Sequence, residues 1–178
     1  VAISATPAEI NAVVHGTTAT AAEINKYCDE SAKAVVSLTA NTSVTQANHA
    51  NKVCMLNAAA GLTVTLPEAT GTGDKYKFVL GTVLTSNTIV IKTADATNCH
   101  MLGHALAIDL DSATTAVMYQ AVLASTIDKV TMNRTTQGGV SVGCDWYEFT
   151  DIGTDRWLVE GRFLVPTNSN PATPFAST

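Results

Sequence analysis

Charge is scarce in this chain. Of its 178 residues only 14% are Asp, Glu, Lys or Arg, against about 25% in an average soluble protein. A typical cytosolic enzyme with a charged helical surface is therefore not expected. The ten Lys and Arg residues are thinly spread and form no basic run. A nucleic-acid interface needs a basic face to neutralise phosphates, and an anionic membrane surface needs the same. Neither partner is expected. No stretch approaches the roughly 18 consecutive apolar residues of a membrane-spanning helix. The start, Val1-Ala2-Ile3-Ser4, has no basic region and no long apolar run, so no signal peptide is expected there. Cys-x-x-Cys is absent as well. Cys28, Cys54, Cys99 and Cys144 lie 26, 45 and 45 residues apart, which excludes the common zinc and thioredoxin motifs and leaves free buried thiols as the expectation.

Apolar residues and threonine are plentiful. Hydrophobic residues make up 46% of the chain, and 27 Thr and 26 Ala dominate the composition. The net charge is −5 and the pI about 5.2. A disordered acidic chain would carry far less apolar mass. The length suits one domain with appendages.

The N-terminal segment holds a repeat. Thr6-Pro7-Ala8-Glu9-Ile10-Asn11 recurs 14 residues later as Thr20-Ala21-Ala22-Glu23-Ile24-Asn25. Each copy has a capping-box spacing, with Thr as the cap and Glu three residues on. Pro7 suits the first helical position, and Gly16 suits a left-handed helix end. Ile10, Val13 and Val14 fall on one face of the first helix; Ile24, Tyr27 and Cys28 do so in the second. Helices of about ten residues are marginal alone in water, so these stripes are expected to dock, either on the chain's own β domain or on another protein.

From Leu38 onward strands and turns are expected. Leu62–Leu66 alternates apolar residues with Thr until Pro67, the pattern of a half-solvated strand. Lys75–Thr85 and Thr88–Lys92 read as further strands around the turn signals Gly71–Asp74 and Ser86-Asn87. The 94–113 stretch reads as loop with short strand pieces. Ala116–Leu123 and Ile127–Met132 are weaker strands. Asp145–Ile152 and Arg156–Val165 flank Gly153-Thr154-Asp155 as a closing hairpin. The expected fold is mainly β: an antiparallel sandwich or barrel over residues 39–165. An arm with two short capped helices (1–38) precedes it, and an extended tail without packing of its own (166–178) follows.

Candidate chemistry is thin. Cys99-His100 with His104 is the densest set of metal-ligating side chains, with Asp109 or Asp111 as further ligands. It has a Gly between the histidines and no helical pattern, so an incidental loop is the plainer reading and no metal is expected. Ser112, His104 and Asp109 supply the residue types of a triad, without a Gly-x-Ser-x-Gly frame. Asp145 with Glu148, or Asp151 with Asp155, are the residue types of a glycosidase pair, but acids at hairpin ends are usually solvated turn residues. Gly71-x-Gly73 lacks the Lys-Ser/Thr and helix of a phosphate loop. Trp146, Tyr147 and Trp157 cluster in the last hairpin. Trp157 is expected in the core. Trp146 and Tyr147 are candidates for a surface aromatic site. No catalytic residue and no cofactor is expected.

The tandem Thr-x-Ala-Glu-Ile-Asn unit resembles N-terminal repeats in structural proteins of tailed bacteriophages. So do the runs Thr65–Phe78 and Thr85–Lys92, and the ending Gly143-Cys144-Asp145-Trp146-Tyr147-Glu148 with Arg156-Trp157-Leu158-Val159. The resemblance covers most of positions 4–175 and is greatest to capsid decoration, or cement, proteins. It implies a non-enzymatic β body on the outer surface of the virion, binding the major capsid protein as a homotrimer where three capsid subunits meet. The arm stripe Ile10, Val13, Val14, Ile24 and Tyr27 would then contact the capsid or a neighbouring protomer. The alternative is a receptor- or glycan-binding β module of a head fibre or tail spike, using Trp146 and Tyr147.

Overall fold

The computed structural model describes residues 35–111, 116–122 and 126–178. The two expected arm helices, and with them Ile10, Val13, Val14, Ile24 and Tyr27, lie outside these described residues.

The described chain is mainly β, in two sheets. In order it runs β1 (Val36–Leu38), β2 (Thr42–Ser43), a single helical turn α1 (Gln46–His49), β3 (Lys52–Leu56), β4 (Leu62–Thr65), β5 (Lys75–Leu80) and β6 (Ile89–Lys92). It continues with β7 (His100–Asp109), β8 (Ala116–Ala121), β9 (Lys129–Met132), β10 (Trp146–Gly153), β11 (Arg156–Val165) and β12 (Phe175–Ala176). One sheet has the order β1-β3-β5-β10-β11-β7-β8, the other β12-β9-β6-β4-β2.

The expected antiparallel pairing does not hold for the first half of the chain. Successive strands alternate between the two sheets, so β1, β3 and β5 pair in parallel in one sheet and β2, β4 and β6 in the other. Val36, Cys54 and Phe78 stack in register, as do Val64 and Ile91 opposite. Short links cross from sheet to sheet where hairpins were expected. The link 57–61 is held against the next coil, where Thr85 N–H donates to the Ala59 carbonyl (2.8 Å) and Asn87 Nδ2 to the Ala60 carbonyl (3.0 Å). Gly61 (φ +84°) ends that link where a Cβ would stand 2.4 Å from the Thr88 carbonyl oxygen, so only glycine fits there.

The hairpin expected at the end of the domain is present, but its place is central. β10 and β11 insert between β5 and β7: β10 runs antiparallel to both β5 and β11, while β11 runs parallel to β7 over ten residue pairs. Both sheets are therefore mixed. The 94–113 stretch, expected as loop, contributes the ten-residue strand β7. Its interruption in pattern is Gly103 (φ +133°), where a Cβ would stand 2.0 Å from the Val159 carbonyl oxygen. β1 lies within the stretch assigned to the arm, so the β region begins at Val36. The tail also packs. Phe175 is buried, β12 pairs with β9, and the Tyr119 hydroxyl donates to the Pro171 carbonyl at 2.7 Å. The expectation of a tail without packing of its own rests on its terminal position; both backbone pairing and the buried Phe175 hold it.

The inward faces of both sheets feed one apolar cluster, including Cys54, Leu56, Phe78, Leu80, Val64, Ile89, Ile91, Phe149, Val159 and Phe163. Aromatic pairs fix its middle: Tyr76 meets Trp157 edge-on at 5.5 Å, and Phe78 meets Phe149 at 5.9 Å. Each such pair adds about 0.5–1.5 kcal/mol beyond burial alone. Trp157 is fully buried, as expected.

Tyr147 sits over Gly161, its cross-strand partner. A Cβ on Gly161 would lie 2.3 Å from the Tyr147 ring and 2.9 Å from the Trp146 carbonyl oxygen. Gly161→Ala is expected to destabilise the domain by about 1–3 kcal/mol through overpacking. Denaturant unfolding checks this; an unchanged midpoint would show that the ring moves aside freely.

Candidate functional site

The outward face of the seven-stranded sheet gathers the residues with most scope for recognition. Alternation along each strand places Met55 (β3), Val79 (β5), Trp146 (β10), Arg162 (β11), Leu106 (β7) and Met118 (β8) in one register row. Leu106 and Met118 are 36% and 58% exposed. β8 is an edge strand, Ala-Val-Met-Tyr-Gln-Ala, with neither charge nor proline. Edge strands are commonly protected by such residues.

A shallow depression of about 220 Å³ lies on the same face, lined by Asn51, Lys52, Val53, Lys75, Lys77 and Glu148. It holds three of the chain's seven lysines. Alternation places Lys75 and Lys77 on the outward side of β5 while Tyr76 and Phe78 enter the core. Glu148 of β10 is paired in register with Lys77. Lys75 Nζ reaches Glu148 at 3.2 Å and Lys77 Nζ at 3.9 Å, with the lysine side chains 57% and 39% exposed. Exposed pairs of this kind contribute about 0–1 kcal/mol. Lys77 also covers the half-buried Trp146, its Nζ 4.6 Å from the ring centre.

Of the two aromatics expected at a surface site, Trp146 is half-buried on the outward face. Tyr147 is not at the surface: it is fully buried, one residue along an alternating strand and so on the opposite face. Sequence proximity misled here because neighbours in a strand point apart. The lysines completing the depression were not singled out from sequence. Alternation of Lys75 and Lys77 around Tyr76 was the available signal, but only the pairing of β5 with β3 and β10 brings Lys52 and Glu148 beside them.

Among the described residues, the histidines of the candidate metal and triad sets are spread along β7. His100 and His104 lie on one extended strand, where four residues span about 13 Å, while on a helix they would be neighbours. Among the described residues no three His, Cys, Asp or Glu side chains lie together as metal ligands. His104 pairs with Gln120, Asp109 stands five residues further along the strand, and Ser112 lies outside the described residues. Cys54 and Cys99 are free and buried, and Cys144 is free and half-buried. Burial pushes the Cys54 thiol up to about 11 and raises that of Cys99, which makes both poor nucleophiles.

Two of the hairpin acids, Asp145 and Asp151, are buried acceptors of backbone N–H groups, while Glu148 and Asp155 are half-buried. Asp151, on β10, accepts the backbone N–H groups of Thr70 (3.0 Å), Gly71 (2.6 Å) and Thr72 (3.1 Å), and the Thr72 hydroxyl (3.0 Å). Asp145, just before β10, accepts those of Gly139 (2.7 Å), Val140 (2.9 Å), Ser141 (3.1 Å) and Leu164 (2.8 Å). Both are buried. Burial acts to raise the Asp151 carboxyl, but its hydrogen bonds outweigh this and hold it below the ordinary value. For Asp145 burial wins and pushes the carboxyl up, with its four N–H groups acting the other way.

No protein family, curated protein or solved structure matches this chain.

Because the folded Asp151 carboxyl titrates below its unfolded value, its contribution to stability is complete above about pH 4. It is lost as pH falls through the folded value. Asp151→Asn is expected to cost about 1–3 kcal/mol at neutral pH, and the penalty shrinks toward pH 2.5. Urea unfolding at both pH values checks this. An equal penalty at both would assign the loss to packing rather than charge.

Proposed function

We propose that this chain is a structural, non-enzymatic virion protein that decorates and stabilises a bacteriophage capsid by binding the major capsid protein on its outer surface. The observation that supports the reading most directly is the uncharged edge strand β8, with Met118 58% exposed beside Leu106 of β7. A strand edge without charge or proline accepts another strand. A broad sheet face with scattered exposed apolar side chains suits a large, flat protein surface better than a small substrate. The two sheets with their shared core make a rigid sandwich, suited to a spacer or clamp. The repeat at Thr6–Asn11 and Thr20–Asn25 adds an arm whose apolar stripes Ile10, Val13, Val14, Ile24 and Tyr27 extend the contact. In a homotrimer, each further arm binds at the high effective concentration set by the first.

A second reading, a receptor- or glycan-binding module of a head fibre or tail spike, is favoured by one observation. Trp146 is half-buried on the outward face, beside a lysine-lined depression.

The test is native mass followed by mixing with undecorated capsids of the phage that encodes the chain. The expected result is a particle near three times 18.5 kDa that saturates capsids. Deleting residues 1–34 is expected to weaken that binding about tenfold or more, by loss of multivalent contact. A monomer that ignores capsids overturns the capsid reading. A truncated protein that saturates capsids with unchanged affinity overturns the role of the arm.

A further inference from the structure

We infer that the depression between β3, β5 and β10 is a binding site for an acidic sugar, one ring carrying a carboxylate or sulfate. The inference rests on the glycan-binding reading above and is independent of the capsid reading. Three features carry it. The first is charge. Lys75 and Lys77 meet at Glu148 beside a depression of about 220 Å³ in a chain whose net charge is −5, Lys52 lies on its border, and Glu148 is the one acid lining it. Lysines are point-charge donors suited to carboxylates and sulfates.

The second is the position of Glu148. It pairs with both Lys75 and Lys77. A purely anionic ligand, such as an acidic peptide, gains the lysines but meets the repulsion of Glu148. A sugar acid places its anion on the lysines and donates its ring hydroxyls to Glu148, so both signs of charge are used. The third is shape. The cavity has room for one sugar ring, Val53 supplies an apolar wall, and the indole of Trp146 lies next to it through Lys77.

The experiment uses the full chain and three probes: a heparin-derived tetrasaccharide, a neutral chitotetraose, and hexaglutamate. Binding is followed by backbone amide shifts at Lys75, Lys77 and Glu148, and by tryptophan emission. Emission reports on Trp146 because Lys77 leaves its ring on binding, while Trp157 stays buried. The expected result is saturable binding of the heparin fragment, weakened by added salt, with little response to the other two. Lys75→Gln with Lys77→Gln is expected to weaken it about tenfold or more. Lys92→Gln, on the other sheet, is expected to leave it unchanged. Thermal unfolding of each variant confirms that it remains folded.

Binding of chitotetraose alone keeps the glycan reading and overturns the acidic-sugar site. Tighter binding of hexaglutamate assigns the patch to an acidic protein and also overturns it. Heparin binding that survives the double substitution overturns the location. No response to either saccharide overturns both this site and the glycan reading.

Discussion

Strand β10 is fastened at both ends by a buried carboxylate, and the architecture hangs on that fact. Asp145 precedes the strand and gathers three consecutive N–H groups of the 139–141 turn together with that of Leu164. Asp151 lies near its other end and gathers three consecutive N–H groups of the 70–72 loop. Loops without regular structure leave backbone donors unpaired, and a buried unpaired donor costs about 1–3 kcal/mol. A single carboxylate that accepts three or four of them removes that cost and fixes the loop to the sheet. Asp74 extends the scheme, taking the side-chain amides of Gln46 and Asn51. A chain with few acids thus commits several of them to internal scaffolding.

That scaffolding lets a hairpin sit inside a sheet begun by coiled, parallel winding. The first six strands alternate between two sheets, and the β10–β11 hairpin then inserts beside β5 with β7 on its far side. The insertion makes the outward face seven strands wide. It also sets Glu148 beside Lys77, and Trp146 beside Val79 and Arg162. The depression on that face is therefore a product of long-range pairing: its lysines come from β3 and β5, its acid and the neighbouring indole from a hairpin some 70 residues later.

Much of the local structure was legible. β4, β6, β10 and β11 fall where alternation and turn residues put them, and Trp157 is in the core its apolar strand implied. Legibility failed where tertiary context overrode local pattern. β7 was hidden by Gly103 and two histidines. Its glycine is there because the Val159 carbonyl comes too close for a Cβ, which depends on a strand more than 50 residues away. Tyr147 was grouped with Trp146 by adjacency, although alternation sends the two to opposite faces. Asp145 and Asp151 looked like turn acids because the sequence does not show which amides lie within reach.

The sequence by itself determined that this chain is mainly β and that it carries enough apolar residues for a core. These follow from composition and from a period of two, which act residue by residue. Which strand pairs with which was decided only by the tertiary structure. A half-buried strand has the same alternation whether its neighbour is reached by a hairpin or by crossing to the other sheet. The difference lies in the links, where close backbone approach at Gly61 and the two carboxylate clasps select the crossing path. The depression on the outward face exists because of that selection.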